Sequence, residues 1–338
     1  MKKYSIIHKL LFFINSVFAT VLLLSYILPL ISPKTIPAVA VFSLFVPLLV
    51  VLNTIFFVYW LLKLHKNALL SLLVLAIGWF STPPLIKFSG KEIILNKDLK
   101  IMSYNVRLFN HYKHIEDITT EQKIYEFIND ENPDIIAMQE FYQSNLLNIK
   151  LPYKYIKTKT KANKFGLAIY SKHPIVNSGS LNFKNSANNT IFVDIVKNKD
   201  TIRVYNVHLE SLKINPEKVN FGEQDSERLF KRLANGFEKQ VSQTELILQH
   251  EYSWKGKKIM CGDFNNTAYS WVYKKLSKNK KDAFLQAGTG SGKSFRYIYP
   301  MRIDFIFSDA KAIINQYKTY DNIKLSDHYP IMTRLHWK

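Results

Sequence analysis

Two short stretches carry residue types that act on phosphate esters. Asp327 and His328 stand side by side just before the final predicted strand, and Asp263 and Asn265 follow another predicted strand, two residues apart. Alternation in an extended chain points the side chains of Asp263 and Asn265 the same way. Carboxylates bind hard divalent cations, whereas histidine and amide groups contact phosphoryl oxygens. The spacing therefore predicts metal-dependent hydrolysis of a phosphate ester.

Three further polar residues, Asn105, Glu140 and His208, stand at the ends of other predicted strands. Taken singly, each has a structural alternative as a turn cap, a helix cap or a half-buried edge residue. Strand ends on one side of a sheet converge in space, so we expect all of them to share one cleft with Asp263 and His328. The carboxylate of Glu140 is costly at the end of a buried strand without a partner, and a bound cation is one such partner.

The elements that must position these residues are mostly strands. Alternating or continuous apolar runs predict strands over 92–95, 99–106, 134–140, 166–171, 190–196, 201–209, 257–262, 301–307 and 331–335, and helical spacing predicts helices over 116–129 and 216–250. Many strands with few helices predict one α+β or α/β domain with two packed sheets.

Six motifs in a fixed order make the chain similar to a known family. They are Tyr104-Asn105-Val106, Met138-Gln139-Glu140, Asn206-Val207-His208-Leu209, Gly262-Asp263-Phe264-Asn265, Arg302-Ile303-Asp304-Phe305-Ile306 and Ser326-Asp327-His328-Tyr329-Pro330. The set resembles the endonuclease/exonuclease/phosphatase family over about residues 99–336. The resemblance implies a four-layer α/β sandwich of two mixed β-sheets flanked by helices. It also implies phosphoester hydrolysis that depends on Mg²⁺ or Mn²⁺.

The same resemblance implies a role for each polar residue. Glu140 would be the principal metal ligand, helped by Asp327 and Asn105. Asp263 and Asn265 would orient the attacking water and the scissile phosphate, with Asp263 as the candidate base. His328, held by Asp304, would donate to a non-bridging oxygen or move a proton, and His208 would act on the leaving-group side.

One position departs from the family pattern. Some members carry an acid two residues after the strand-end asparagine, where this chain has Arg107. Arg107 would either bind the substrate phosphate or be a solvated neighbour, and its presence weakens the expectation of a second metal ion.

A glycine-rich stretch, residues 287–294, fits a relaxed phosphate-loop pattern. That mechanism needs a helix N-terminus directly after the loop. The following residues are β-formers that end at Pro300, so we predict a flexible loop near the rim of the active site instead. Lys293 and Arg296 are then weaker candidates for contact with substrate phosphate.

Residues 1–87 contain seven lysines and no acidic residue, and they are predicted to be a membrane region. Apolar runs over 10–31 and 36–62 match the roughly 20 residues that span a bilayer, and a third run covers 68–86. The lysines flank the first and second runs so as to place the N-terminus and the loop 63–67 in the cytoplasm. We expect three crossings, which would put the rest of the chain outside the cytoplasm at the cell membrane; if the third run does not cross, the domain is cytoplasmic instead. A linker over 88–98 and a catalytic domain over 99–338 follow.

Composition narrows the substrate only partly. Residues 88–338 hold 39 basic and 26 acidic side chains, which suits a polyanion or an anionic lipid surface but is also typical of a lysine-rich proteome. The single cysteine, Cys261, excludes an intrachain disulfide and is predicted to be a packed thiol.

We expect a membrane-anchored phosphodiesterase with nucleic acid as the first-choice substrate. The alternatives are a phospholipid or sphingolipid headgroup, an inositol phosphate, or a non-catalytic receptor or scaffold that keeps the fold. No obligate protein partner is inferred.

Overall fold

The computed structural model describes residues 6–160, 164–213 and 223–338. Its strands are β1 Leu99–Asn105, β2 Ile135–Tyr142, β3 Tyr153–Thr158, β4 Phe165–Ser171, β5 Ile175–Ser180, β6 Asn189–Lys197, β7 Asp200–His208, β8 Lys257–Asp263, β9 Lys280–Asp282, β10 Asp304–Asp309, β11 Ile313–Thr319 and β12 Ile331–His336. Its α-helices are α1 Ile6–Ser25, α2 Pro37–Ala40, α3 Val46–Leu62, α4 Ala68–Ser81, α5 Thr120–Glu131, α6 Glu223–Tyr252, α7 Trp271–Ser277 and α8 Ala283–Ala287. Short 3₁₀ turns cover Leu28–Leu30, Val41–Leu44 and Arg107–Asn110.

The strands form two six-stranded sheets within the described residues. Their orders are β11-β12-β1-β2-β4-β3 and β5-β6-β7-β8-β10-β9. Both sheets are mixed, because β1 runs parallel to β2 and β7 runs parallel to β8, whereas the other neighbouring pairs are antiparallel. The predicted fold class is therefore confirmed.

Strand register explains why distant residues meet. Asn105 pairs with Gln139, directly before Glu140, across the parallel β1–β2 pair. His208 pairs with Asp263 across the parallel β7–β8 pair, and Asp304 opposes Asp263 from the antiparallel β10. Strand β12 runs antiparallel to β1, so the residues that precede it lie beyond the end of β1.

Three apolar clusters fill the spaces between four layers. The inner one lies between the sheets and includes Ile101, Ile169, Val204 and Ile259. A second packs α5 against the outer face of the first sheet, and a third packs α6 and α7 against the outer face of the other. Burial of these faces is what favours the sandwich over isolated sheets.

Apart from the edge strand over 92–95, the predicted elements are present with small shifts at their ends, and several observed strands were not predicted. Strands β3, β5, β9 and β11 were not predicted; β5 has three exposed residues and β9 only three residues in all. The predicted strand over 301–307 begins only at Asp304. The start of the predicted helix over 216–250 falls within residues 214–222, outside the described residues, and α6 then runs to Tyr252.

The N-terminal helical region, residues 6–86, is a small antiparallel bundle. Among the described residues, one helical stretch is long and apolar enough to cross a membrane by length and composition: Ile6–Leu30, which is α1 with the 3₁₀ turn after it. The pair Pro37–Leu44 and Val46–Leu62 counts as a second span only if the 50° bend between them is accepted. Helix α4 has 14 residues, about 21 Å at 1.5 Å per residue. Buried polar contacts hold the bundle together, such as the bond from Ser71 Oγ to Asn15 Oδ1 at 2.8 Å.

The linker expected over 88–98 lies along the catalytic domain. Lys87 and Gly290 form a two-hydrogen-bond bridge, and the backbone amide of Ile93 donates to the carbonyl of Asn315 at 3.0 Å. The predicted edge strand over 92–95 is reduced to one bridge, Glu92 with Gln316. The N-terminal region is thus joined to the domain by an ordered connection.

Candidate active site

Four side chains from four different strands meet at one edge of the sandwich. The amide Nδ2 of Asn105 donates to Asp263 Oδ2 at 3.0 Å and to Glu140 Oε1 at 3.3 Å. The Nε2 atom of His208 lies 3.6 Å from Asp263 Oδ2 and 4.0 Å from Glu140 Oε1. The structure therefore places these predicted site residues together.

Glu140 reaches the cleft because its strand is irregular. The β2–β4 register shifts between Met138 and Phe141, and Glu140 has a φ of +47°. Such a bulge re-aims one side chain out of the regular alternation. The side chain of Glu140 keeps 35% of its surface exposed, whereas Met138 and Phe141 are fully buried.

Asp263 is almost fully buried and well hydrogen-bonded. Its Oδ1 accepts from the backbone amide of Asn265 at 2.8 Å, and its Oδ2 accepts from Asn265 Nδ2 at 3.3 Å. Gly262, at φ +141°, precedes it, and a Cβ atom there would lie 1.9 Å from the carbonyl oxygen of Val207. Only glycine allows β8 to approach β7 this closely and so bring Asp263 beside His208.

His328 and Asp304 form the buried pair that the sequence predicted. His328 Nδ1 lies 2.8 Å from Asp304 Oδ2, and the other ring nitrogen, Nε2, lies 3.7 Å from Asp263 Oδ2. The Asp304 carboxylate accepts a hydrogen bond from the Nδ1–H group, which directs Nε2 toward the cleft. The ring of Phe295 covers the imidazole at a centroid distance of 5.0 Å.

The two histidines are in opposite electrostatic situations. Burial lowers the pKa of His328, but the Asp304 and Asp263 carboxylates outweigh it and raise that pKa well above its usual range. Burial lowers the pKa of His208 and prevails over the opposing effect of Asp263. The cleft thus holds one protonated and one neutral imidazole at neutral pH, and the Nε2 of the neutral one is buried without a hydrogen-bond partner among the described residues.

The pKa values of two carboxylates of the cleft, Glu140 and Asp263, are raised. Burial first, and then the nearby Asp327, raise the pKa of Glu140, although His328 and Asn105 lower it in part. Burial is also the main cause that raises the pKa of Asp263. Groups of like charge crowded at one edge are stabilised by a bound cation.

The donor set fits a hard divalent cation. Glu140 and Asp327 supply partly exposed carboxylates, a ligand type that Mg²⁺ and Mn²⁺ prefer. Asn105 turns its amide nitrogen toward Glu140 while its Oδ1 accepts from the Arg107 backbone amide, so it would supply an oxygen to the cation only with its amide group rotated. A second group, Asp263, Asp304 and His328, also brings ligand atoms within 4.8 Å of one another. A cation there would have to displace the His328–Asp304 hydrogen bond, so the Glu140 set is the better candidate.

Arg107 is paired within the site. Its Nε lies 3.3 Å from Asp327 Oδ2, and its backbone amide donates to Asn105 Oδ1 at 3.1 Å. It is therefore not a merely solvated neighbour, and its guanidinium lies at the edge of the proposed metal site. A direct contact with substrate phosphate stays a prediction.

Lys293 and Arg296 differ in their relation to the cleft. The ammonium group of Lys293 donates to the carbonyl of Tyr297 at 2.6 Å, and its side chain lines a separate cavity with Gly290 and Lys318. Arg296 Nη1 donates to the carbonyl of Ser326 at 3.2 Å, so this residue is adjacent to the Asp327 loop. No helix follows the glycine-rich stretch, which agrees with the rejection of a nucleotide loop.

Two buried polar residues, Gln139 and Asn206, lie beneath the site, and the sequence motifs that contain them predicted no role for either. Gln139 Nε2 donates to Asn206 Oδ1 at 2.6 Å, and Asn206 Nδ2 donates to the carbonyls of Met138 and Ala168. This pair joins the two sheets directly below Glu140 and His208. The sequence does contain a sign of this contact, because a polar residue inside a continuous apolar strand needs a buried hydrogen-bond partner.

Two cavities open on the site from different directions and meet at Glu140. The inner pocket, about 70 Å³, is lined by Leu44, Glu140, Ser211, Leu212, Asp263, Asn265, Phe295, Met301, Ile303, Asp327 and His328. The basic groove, about 490 Å³, contains Glu140 and His208 together with Lys157, Lys159, Lys213 and several polar residues.

Comparison with known protein families identifies the catalytic domain. Residues 102–328 match the endonuclease/exonuclease/phosphatase family. The chain belongs to this family. Residues 8–85 match a different family, a domain of unknown function (DUF8431). Members of the endonuclease/exonuclease/phosphatase family are typically metal-dependent phosphoesterases.

Solved structures share the fold at low sequence identity. A protein of unknown function from Enterococcus faecalis is 15% identical with a TM-score of 0.54, covering 71% of this chain and 100% of its own. A family member from Bacteroides vulgatus is 17% identical with a TM-score of 0.52, covering 71% and 99%. The human Nocturnin catalytic domain, with a bound sulfate anion, is 16% identical with a TM-score of 0.53, covering 73% and 97%. No curated protein matches the sequence significantly.

Proposed function

We propose that the protein is a divalent-metal-dependent phosphodiesterase attached to a membrane. One observation carries the catalytic part of this proposal. The imidazoles of His208 and His328 lie 3.6 Å and 3.7 Å from the Asp263 carboxylate, Asp304 holds His328 at 2.8 Å, and the Glu140 carboxylate lies 4.0 Å from His208 Nε2. A single phosphate group bound here could contact a carboxylate proposed to bind the cation (Glu140), a protonated imidazole (His328) and a neutral imidazole (His208).

Each side chain has a distinct task in this reaction. Glu140, Asp327 and Asn105 would hold Mg²⁺ or Mn²⁺, which when bound neutralises charge on the phosphate. Asp263, oriented by Asn265 and Asn105, positions the attacking water and takes up its proton. The protonated His328 donates a hydrogen bond to a non-bridging phosphoryl oxygen, where charge increases in the transition state. His208 lies on the basic-groove side, where it would pass the proton that Asp263 takes from the water on to the leaving oxygen; its Nε2 lies 3.6 Å from Asp263 Oδ2.

The phosphodiester expected from the sequence is nucleic acid or a phospholipid headgroup. Lysines of the basic groove favour a polyanionic or anionic substituent on that side. The sulfate bound to human Nocturnin is a tetrahedral oxyanion like phosphate, which supports phosphate recognition by this fold without choosing between substrates. A non-catalytic scaffold would have no use for a buried, unpartnered imidazole nitrogen beside two carboxylates.

A metal-dependent hydrolysis assay on the full chain tests the proposal. We expect hydrolysis of bis(p-nitrophenyl) phosphate with Mg²⁺ or Mn²⁺, and a fall of roughly 10³-fold in EDTA, because transition-state charge is then left uncompensated. The rate is measured from the increase in absorbance as p-nitrophenolate is released. An equal rate with and without EDTA would rule out the metal-dependent mechanism.

The bundle supports the predicted placement of the catalytic domain outside the cytoplasm. The His8 ring at the start of α1 lies 6.1 Å from the Trp60 ring near the end of α3, and the Trp60 and His65 rings lie 5.3 Å apart. At the other end of the bundle, Leu28 and Val46 pack with Tyr269 of the catalytic domain. The lysine-flanked ends therefore lie away from the domain, which agrees with a cytoplasmic N-terminus under the positive-inside rule.

A reporter fused after Lys338 tests this topology. We expect alkaline phosphatase, which is active only outside the cytoplasm, to be active there, and β-galactosidase, which is active only inside, to be inactive. The same reporters fused within the loop 63–67 are the matched control and should give the reverse result. Active β-galactosidase at Lys338 would place the domain in the cytoplasm.

A further inference from the structure

One turn of the N-terminal helical region, Val41–Leu44, packs against the loops around the candidate active site. Val41 and Leu44 are 2% and 3% exposed, and they share one apolar cluster with residues of the catalytic domain. Those residues include Leu212, Phe295, Met301 and Ile303. Leu44 also borders the inner pocket that contains Glu140, Asp263 and His328. A part of the chain outside the catalytic domain therefore completes the packing around the proposed catalytic groups.

The first loop in this contact lies against the buried His328–Asp304 pair, and we call it the strap, residues 294–303. Phe295 forms an isolated β-bridge with His328, and its ring covers the imidazole at a centroid distance of 5.0 Å. The backbone amide of Asp304 donates to Ser294 Oγ at 3.0 Å. The strap therefore contacts both members of the pair directly.

The turn is hydrogen-bonded to the strap and to a second loop. In the strap, the hydroxyl of Tyr299 donates to the carbonyl of Leu44 at 3.2 Å. In the loop that follows β8, Thr267 Oγ1 donates to the carbonyl of Ser43 at 2.9 Å, and both of these residues are almost fully buried. Since this loop begins directly after Asp263, the turn joins the two loops that adjoin the catalytic carboxylate and the catalytic imidazole.

The strap depends on side-chain packing for its position. Apart from two isolated bridges, its residues belong to no strand or helix. Its apolar residues Phe295, Met301 and Ile303 are nevertheless buried. A segment with few backbone hydrogen bonds opens easily unless apolar burial holds it. Because Val41 and Leu44 cover part of this apolar surface, their loss would free the strap to move away from the imidazole.

We propose that the N-terminal helical region holds the catalytic side chains in position, with the turn Val41–Leu44 clamping the strap and the loop after β8. Leu44 is then a positioning residue that acts through His328. A misplacement of about 1 Å, even from a change far from the chemistry, can lower a rate by about 10²-fold. This role is additional to membrane attachment, and it belongs to the part of the chain that matches a domain of unknown function. Its consequence for catalysis rests on the proposed function.

Amide hydrogen exchange of the full chain in detergent micelles, followed by mass spectrometry, tests the clamp itself. Leu44→Ala should raise the exchange rate of peptides from 294–303 by roughly tenfold or more, because the smaller side chain removes packing beneath the strap. Leu49→Ala is the matched control. Leu49 is a buried leucine of α3, and its apolar cluster contains no residue of the strap, so strap exchange should stay at the wild-type rate.

Kinetics with bis(p-nitrophenyl) phosphate and Mg²⁺ test the consequence for catalysis. Leu44→Ala should lower kcat per folded molecule by roughly tenfold and change KM less, because a displaced His328 loses contact chiefly with the transition state. Leu44→Met conserves volume and should restore both the wild-type kcat and the slow exchange of the strap. Leu49→Ala should keep the wild-type kcat per folded molecule.

The outcomes separate this inference from the proposed function. Strap exchange or kcat that stays at the wild-type value in Leu44→Ala overturns the inference, as do equal changes in Leu49→Ala. Where Leu44→Ala does not fold, Tyr299→Phe removes only the hydroxyl bond to the turn and serves the same two measurements. A wild-type chain that hydrolyses no phosphodiester would reject the proposed function, and the exchange comparison alone would then decide whether the turn holds the strap.

Discussion

His328→Ala is expected to lower kcat for a phosphodiester by about 10³-fold, the usual contribution of a positioned proton donor. His328 is held by Asp304 at 2.8 Å, and its free nitrogen faces the Asp263 carboxylate. Alanine removes both the donor to the phosphoryl oxygen and the counter-charge to Asp263. Because the donor acts where charge increases in the transition state, KM should change much less than kcat. Steady-state kinetics with Mg²⁺ measure both.

The chain offers a matched control in a second buried His–Asp pair. His336 Nδ1 lies 2.8 Å from Asp98 Oδ1, with both side chains as buried as those of His328 and Asp304. His336 is at the other end of β12 from the site. His328→Ala leaves the buried Asp304 carboxylate without its imidazole partner, at a cost of about 3–5 kcal/mol in stability. His336→Ala costs less, because Asp98 still accepts hydrogen bonds from Asn315 Nδ2 at 2.8 Å and from the backbone amide of Leu95 at 3.1 Å. His336→Ala should therefore lower the melting temperature but keep kcat per folded molecule, and equal activity losses in both variants would assign His328 a structural role.

The sequence predicted the position of site residues correctly where a residue type suited to catalysis stands at the end of a recognisable strand. Asp263 could be placed because it ends an apolar strand, and the register of β7 with β8 then sets it opposite His208. The pairing of His328 with Asp304 followed from the family resemblance and is confirmed by a direct hydrogen bond. For Asp263 a local pattern decided the element, and the parallel pairing of β7 with β8 brought it to His208.

Other features depend on contacts that no local pattern encodes. The bulge that turns Glu140 into the cleft is a property of the β2–β4 register, not of either strand alone. The position of Leu44 could not be predicted, because an apolar residue in an apolar run carries no sign of the surface it will meet. The edge strand β3 has alternating lysines and tyrosines, which resemble a solvated face as much as a strand.

Glu140→Gln is expected to raise the Mg²⁺ concentration needed for half-maximal activity by at least about 100-fold. Loss of a group that only hydrogen-bonds to a metal ligand typically lowers metal affinity by about 10–100-fold. Because Glu140 is proposed to bind the metal directly, its loss should cost at least as much. The fold should persist, since the one hydrogen bond Glu140 accepts, from Asn105, is open to the glutamine oxygen as well. Rates measured across a Mg²⁺ titration, and metal binding by isothermal calorimetry, give the shift.

Glu131→Gln is the control for Glu140→Gln, because Glu131 is also a carboxylate beside a strand of the first sheet but bonds only structural partners, Lys100 and Tyr320. It should lower stability and keep the Mg²⁺ response. The alternative metal group predicts a different pattern. If Asp304→Asn shifted the Mg²⁺ titration and Glu140→Gln did not, the cation would belong to Asp263, Asp304 and His328. Since that arrangement would take Asp304 away from the imidazole, the role assigned here to His328 would then also be wrong.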